Sequence, residues 1–392
     1  MTMTEGNLAI AKGQGVFVQR ARVEALPPPL AMRGPWGWVR ANLLSTPFNI
    51  ALTVVASVLI YWILSTAIYF FFIDAVWSGS DRLACLASEQ HREVGACWPF
   101  VAERLNYFIY GSYPIPQRWR VDVFFAMLAI GAAWLLWLNA PRRGVGAFYF
   151  FVVVPIGSFI LLHGAPLLGL PKVDTSLWGG VLVTVVVSAV GIVVSLPLGI
   201  LLALGRRSNM PAVRVFAVIF IEFVRGVPLI TVLFMASVML PLFVSEDWSP
   251  DKLLRALIGI ALFASAYMAE VVRAGLLAIP RGQDEAAMAL GLKFWPRMGL
   301  VILPQALKVT IPNIVNTTIG LFKDTTLVFI VGIFDLLHTI EVARIDPKWA
   351  TPVTSTTGYA VAAVFYWVFC YSMSRYAHHI ELRLSTGGRG RR

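Results

Sequence analysis

Charge is what this sequence has least of. Of its 392 residues, 14% are Asp, Glu, Lys or Arg and 58% are hydrophobic, whereas a soluble domain carries about 25% charged residues. So thin a polar coat cannot solvate a globule, and disorder, which requires low hydrophobicity, is excluded for most of the length. Three cysteines are too few for a disulfide framework and stand at no metal-ligand spacing. No Gly-Lys dipeptide occurs, which rules out a phosphate-cradling G-x-x-x-x-G-K-[ST] loop; His-Glu-x-x-His is missing as well. Residues 1–47 lack the short apolar core of a cleaved leader, so the first span itself is expected to direct insertion. No catalytic residue, metal or cofactor is expected. What remains is an all-α, polytopic membrane protein.

A bilayer core of about 30 Å takes roughly 20 apolar residues as helix. Eight stretches qualify: 48–73, 121–138, 146–163, 176–204, 215–243, 254–279, 301–337 and 358–375. The seventh counts as one element interrupted by Lys323-Asp324; a separate crossing by 327–337 would make nine spans, but is short. None of the runs alternates polar and apolar residues as a membrane barrel strand does. In the fourth, Gly179, Gly180, Gly191 and Gly199 offer close helix contacts.

Lys and Arg orient such a chain, because cytoplasmic loops hold their excess. With the N-terminus inside, the inner segments hold 18 basic and five acidic residues, and the outer ones a slight acidic excess. The net charge of +11 is thereby explained without nucleic acid. Both termini are expected in the cytoplasm. Residues 74–120 then form an outer loop carrying Cys85 and Cys97, either disulfide-bonded in an oxidising compartment or two free thiols. Cys370 reads as core.

Ionisable groups at membrane depth mark function or structural pairing. Glu222 and Arg225 stand three apart, as do Glu270 and Arg273. Each pair either neutralises itself and ties neighbouring helices, or touches a charged solute. Lys323-Asp324-Thr325-Thr326 interrupts an apolar element, where exposed helix ends can hold ions or zwitterions; the plainer reading is an interfacial loop. Between spans six and seven, Pro280 ends one helix and Gly282 to Asp284 start a short one. It presents Ala286, Ala287 and Ala289 and stops at Gly291, and small side chains there let another protein approach the backbone.

Glu285-Ala286-Ala287, Gly291 after three further residues, and then Val301, Leu303 and Pro304 resemble the EAA loop of ABC import permeases. Val301 replaces the usual isoleucine. Glu222-Phe223-Val224-Arg225-Gly226-Val227-Pro228-Leu229, the stretch from Ala266 to Gly275, and Lys323-Asp324-Thr325-Thr326-Leu327 resemble the polar amino acid subfamily. The resemblance spans about 174–385 and implies a five-helix, type I importer core.

It further implies an organisation of 1–47 as a cytoplasmic segment, 48–173 as an extension with three spans, 174–385 as the permease domain and 386–392 as a basic tail. The extension is similar to that of the M-type permease of bacterial general L-amino acid transporters. By this resemblance Glu285, Ala286, Ala287 and Gly291 couple the chain to a separate ABC ATPase. A second permease subunit completes the pore in the lipid bilayer, and a periplasmic binding protein delivers an L-amino acid. Lys323, Asp324, Glu270 and Arg273, then Glu222 and Arg225, are the candidates for the pathway. A self-contained secondary transporter or channel, with the buried pairs as ion sites, is the rival reading; it leaves residues 280–303 unexplained.

Overall fold

A computed structural model describes residues 34–91, 93–137, 140–244 and 250–389. Most of the expected cytoplasmic segment and residues 390–392 of the tail lie outside the described residues. Helix dominates. The one strand among the described residues, Phe334–Asp335, has two residues and bridges in parallel to Gly179 and Gly180.

The chain divides into two compact units, one ending at Tyr69 and one beginning at Phe70. The first holds the helices Gly34–Asn42 and Pro47–Ile68. Thr46 starts the second of these by accepting the Asn49 amide at 3.1 Å, with Pro47 in the first turn, where its missing N–H costs nothing. No side chain of Pro47–Ile68 is buried. A helix apolar on every face is what a lipid-exposed span requires.

Seven of the described helices are long and apolar enough to cross a membrane: Pro47–Ile73, Ile115–Leu136, Gly144–His163, Gly180–Arg206, Lys252–Ala278, Phe294–Val331 and Pro352–Leu384. An eighth arises if the bent pair Pro211–Gly226 and Leu229–Leu242 counts as one. That pair corrects the expectation of a single span over 215–243: the two pieces meet at 107°. Pro228 is the cause. It has no N–H to give the helix, and it forces Val227 out of the helical region, to φ −108° and ψ 136°.

A second correction concerns Lys323-Asp324, which does not interrupt its helix. Leu303–Asp324 runs through it and tightens directly into a 3-10 segment, Thr325–Val331, ended by Gly332 at φ +68°. Residues 327–337 therefore make no separate crossing.

The second unit is built on glycine contacts. A Cβ at Gly199 would stand 2.8 Å from Met268 Cβ, one at Gly275 2.7 Å from the Ala306 carbonyl, and one at Gly191 3.0 Å from Leu321 Cδ2. Gly180–Arg206, Lys252–Ala278 and Leu303–Asp324 thus pack closely through their glycines, against side chains at Met268 and Leu321 and against backbone at Ala306, as membrane helices do where no hydrophobic effect draws them together.

Residues of the 74–120 segment belong to the same unit. Cys85 and Cys97 form a disulfide with Cα atoms 5.8 Å apart. Both are buried beside Phe100, Phe108, Ile340 and Trp349, and the Cys97 amide donates to Thr357 Oγ1 at 3.0 Å. Ion pairs from Arg104 to Asp346 and from Lys348 to Glu103 fasten its rim; Lys348 holds the Glu103 carboxyl below its ordinary range. Cys370 is a half-exposed free thiol, not a core residue.

Candidate functional site

Pro280, extended at φ −58° and ψ 137°, turns the chain out of Lys252–Ala278 and into the nine-residue helix Arg281–Ala289. The Gly291 amide bonds the Met288 carbonyl at 2.9 Å and the Leu292 amide bonds the Ala287 carbonyl at 3.2 Å. This is the paired closure of a Schellman turn. It requires the left-handed conformation that Gly291 adopts, φ +75°, and nothing stands within 4 Å of where its Cβ would be. Gly291 therefore acts through its backbone.

Two polar ties hold the short helix down. Asp284 pairs with Arg297 at 3.0 Å, and Gln305 donates to Gln283 at 3.2 Å. Ala287 faces inward at 2% exposure while Glu285, Ala286 and Met288 face out. The two alanines thus differ in role: one seats the helix, the other is free to meet a partner. A cavity of about 240 Å³ lies beneath, lined by Arg207, Leu276, Asp284, Glu285, Met288 and Met298 among others.

The six candidates for the pathway separate into two groups. Glu270 gathers three arginines: Arg206 at 2.9 Å, Arg273 at 2.7 Å and Arg225 at 3.8 Å. Glu222 does not neutralise Arg225 as its spacing allowed; it pairs with Arg206 at 2.8 Å, and Arg225 lies over the Tyr267 ring at 5.7 Å. Three arginines and two glutamates thus join Gly180–Arg206, Pro211–Gly226 and Lys252–Ala278. Arg206 escaped the sequence reading because it ends a charge-free run and has no partner at helical spacing; its pairs depend on the fold. Lys323 and Asp324 form the other group, with no ion pair or side-chain hydrogen bond among the described residues.

Nothing in either group supplies a nucleophile with a base. The arrangement is that of a bundle of membrane-crossing helices with a short, exposed helix, Arg281–Ala289, between two of them. Comparison with known proteins makes the class specific. Residues 195–386 match the family described as binding-protein-dependent transport system inner membrane component. The chain is 50% identical over 350 residues to the inner membrane amino-acid ABC transporter permease protein YhdY of Escherichia coli (strain K12), covering 89% of this chain and 93% of the relative. It is 39% identical over 429 residues to the glutamate/glutamine/aspartate/asparagine transport system permease protein BztC of Rhodobacter capsulatus, covering 94% and 98%. A solved amino acid ABC transporter with histidines is 27% identical, with 52% of this chain and 92% of that one covered and a TM-score of 0.45.

The chain belongs to this family of inner-membrane ABC importer permeases. It is a multi-pass inner-membrane protein.

Proposed function

We propose that this chain pairs with a second permease subunit to import L-amino acids across the inner membrane. A separate ABC ATPase drives the cycle and a soluble periplasmic binding protein supplies the solute. The observation that carries the reading is the Arg281–Ala289 helix, tied at Asp284 and Gln283, seated by Ala287, and open at Glu285 and Ala286. A rigid helix with a small-residue face passes on movement; a mobile loop does not. Glu285, Ala286 and Ala287 couple the permease to the ATPase, and Gly291 closes the helix that presents them. The amino-acid substrate follows from the names of the two relatives that align over most of the chain.

Both termini lie in the cytoplasm in this reading, and the Cys85–Cys97 disulfide supports an outer loop facing the oxidising periplasm. Residues 48–173 act as an extension whose outer loop braces the 174–385 permease domain.

Motion follows from linkage. ATP drawing the ATPases together, and loaded binding protein at the outer face, each favour one of two arrangements by binding it more tightly. The test is purification in mild detergent and reconstitution into vesicles. ATP-dependent uptake of labelled L-amino acids that requires the ATPase subunit is expected; uptake driven by an ion gradient without it overturns the reading.

A further inference from the structure

Three membrane-crossing helices end around one cavity. Arg207 follows the last residue of Gly180–Arg206, and Ile279 and Pro280 follow the end of Lys252–Ala278. Met298 and Ile302 stand in the opening turns of Phe294–Val331. All five line the cavity of about 240 Å³ beneath Arg281–Ala289. Spans end where helices leave the hydrocarbon, so the cavity lies in the headgroup layer of the bilayer. That placement follows from the helix ends and holds for either orientation of the chain.

The lining carries both signs of charge beside apolar side chains. Arg207 and Arg281 bring two positive charges, Asp284 and Glu285 two negative ones, and Leu276, Ile279, Met288, Met298 and Ile302 are apolar. Asp284 is already paired, with Arg297 at 3.0 Å. Arg207, Arg281 and Glu285 have no ion pair among the described residues, and the Arg207 guanidinium donates to the Leu276 carbonyl at a long 3.4 Å. The cavity is smaller than the roughly 300–1,000 Å³ of a drug-sized site, and its four lining charges cancel. It suits a small group that is neutral overall, with an oxyanion at one end and an ammonium at the other. A phosphoethanolamine headgroup and a free amino acid share that chemistry. The five apolar side chains, in the layer where lipid glycerol and acyl chains begin, favour the lipid. A purely anionic headgroup would meet Glu285 with no ammonium to neutralise it.

We propose that this cavity binds a phospholipid whose headgroup joins a phosphate to a primary ammonium, phosphatidylethanolamine. Arg207 and Arg281 hold the phosphate, for which the guanidinium fork is well shaped, and Glu285 accepts from the ammonium. Asp284 stays with Arg297 and keeps the short helix seated. The headgroup fills the space under Arg281–Ala289 and ties that helix to the bilayer surface. The site goes beyond the importer reading and does not rest on it.

The experiment uses the whole transporter, with its partner subunits, in detergent supplied with limiting dioleoyl phosphatidylethanolamine. A water-soluble carbodiimide condenses a carboxylate with a primary amine in contact with it, forming an amide as the carbodiimide takes up the water lost. Mass spectrometry of the peptides locates the product. A lipid amide at Glu285 is expected in the wild type, and none from phosphatidylcholine, whose trimethylammonium cannot form one. Arg207→Gln is expected to raise the lipid concentration for half-maximal product about tenfold, as loss of a charge-assisted bond does. Arg207→Lys recovers part of it.

An assembled wild-type complex without a lipid amide at Glu285 overturns the proposal, as does a concentration dependence that Arg207→Gln leaves unchanged. Should that variant fail to assemble, Arg281→Gln, at the exposed first residue of the short helix, is read in the same way. A parallel reaction contains a mixture of free L-amino acids. An undiminished lipid product supports the assignment; amino-acid amides in its place show that the ligand is the soluble zwitterion and overturn it. The readout needs no transport, so absence of ATP-driven uptake would strike the importer reading and not this site.

Discussion

Arg206 Nη1 closes a 2.9 Å ion pair with Glu270 Oε1, across helices separated by 64 positions in the chain. The same guanidinium nitrogen reaches Glu222 at 2.8 Å, so one side chain joins three helices. Glu270 is the hub: its side chain is 16% exposed and meets three arginines, while Glu222 is 53% exposed and meets one.

That asymmetry orders the effects of substitution. Glu270→Gln leaves three guanidinium groups without a shared acceptor and is expected to cost about 2 kcal/mol or more. Glu222→Gln removes a half-exposed pair and is expected to cost less than about 1 kcal/mol. Thermal unfolding of the detergent-solubilised protein measures both, and equal losses would contradict the hub assignment.

Gly291 is constrained by its backbone. Gly291→Ala places a Cβ in the left-handed region, at a cost of roughly 1 kcal/mol, with no steric contact to add to it. Partial loss of ATP-driven uptake, with unchanged insertion, is expected. Gly291→Asn, tolerant of that region, retains more activity. Uptake by the Ala variant equal to wild type would show that the turn is not required.

Asp335 caps Leu336–Arg344 by accepting the amides of Leu337 and His338, each at 3.1 Å, and the Tyr366 hydroxyl donates to it at 3.3 Å. Burial pushes its carboxyl up to about 6, from an ordinary 3.8, and those bonds offset only part of the shift. The folded state therefore binds this proton more tightly than the unfolded chain. Its charge opposes folding fully above about pH 6, and the penalty fades as pH falls toward 4. Asp335→Asn removes the charge and one of the two oxygens that cap the helix. Its stability relative to wild type is expected to be most favourable at pH 7.5 and to fall as pH drops to 4.5. A constant difference between the two across this range would contradict the assignment.

The sequence made the Arg281–Ala289 helix legible in detail. Pro280 and Gly291 punctuate it locally, and Glu285-Ala286-Ala287 lies at a spacing that survives folding unchanged. Most spans were legible for the same reason: an apolar run long enough to cross needs no tertiary information. What was hidden depends on contacts. Val227-Pro228 reads as a tolerable step in an apolar run, yet it turns the helix by 107°. Lys323-Asp324 reads as a break, yet the helix continues through it, because the neighbouring Leu321 and Phe322 are buried against other helices. Arg206 meets its partners 16 and 64 positions away, beyond any local pattern.

Coupling to the ATPase would run through the outward side of Arg281–Ala289. A photo-crosslinking side chain placed at Ala286, exposed and away from the seat made by Ala287, is to be activated in the intact transporter and the adduct identified by mass spectrometry. A covalent product with the ATPase subunit, lost when that subunit is omitted, is the expected result; adducts with lipid or with the periplasmic binding protein instead would contradict it.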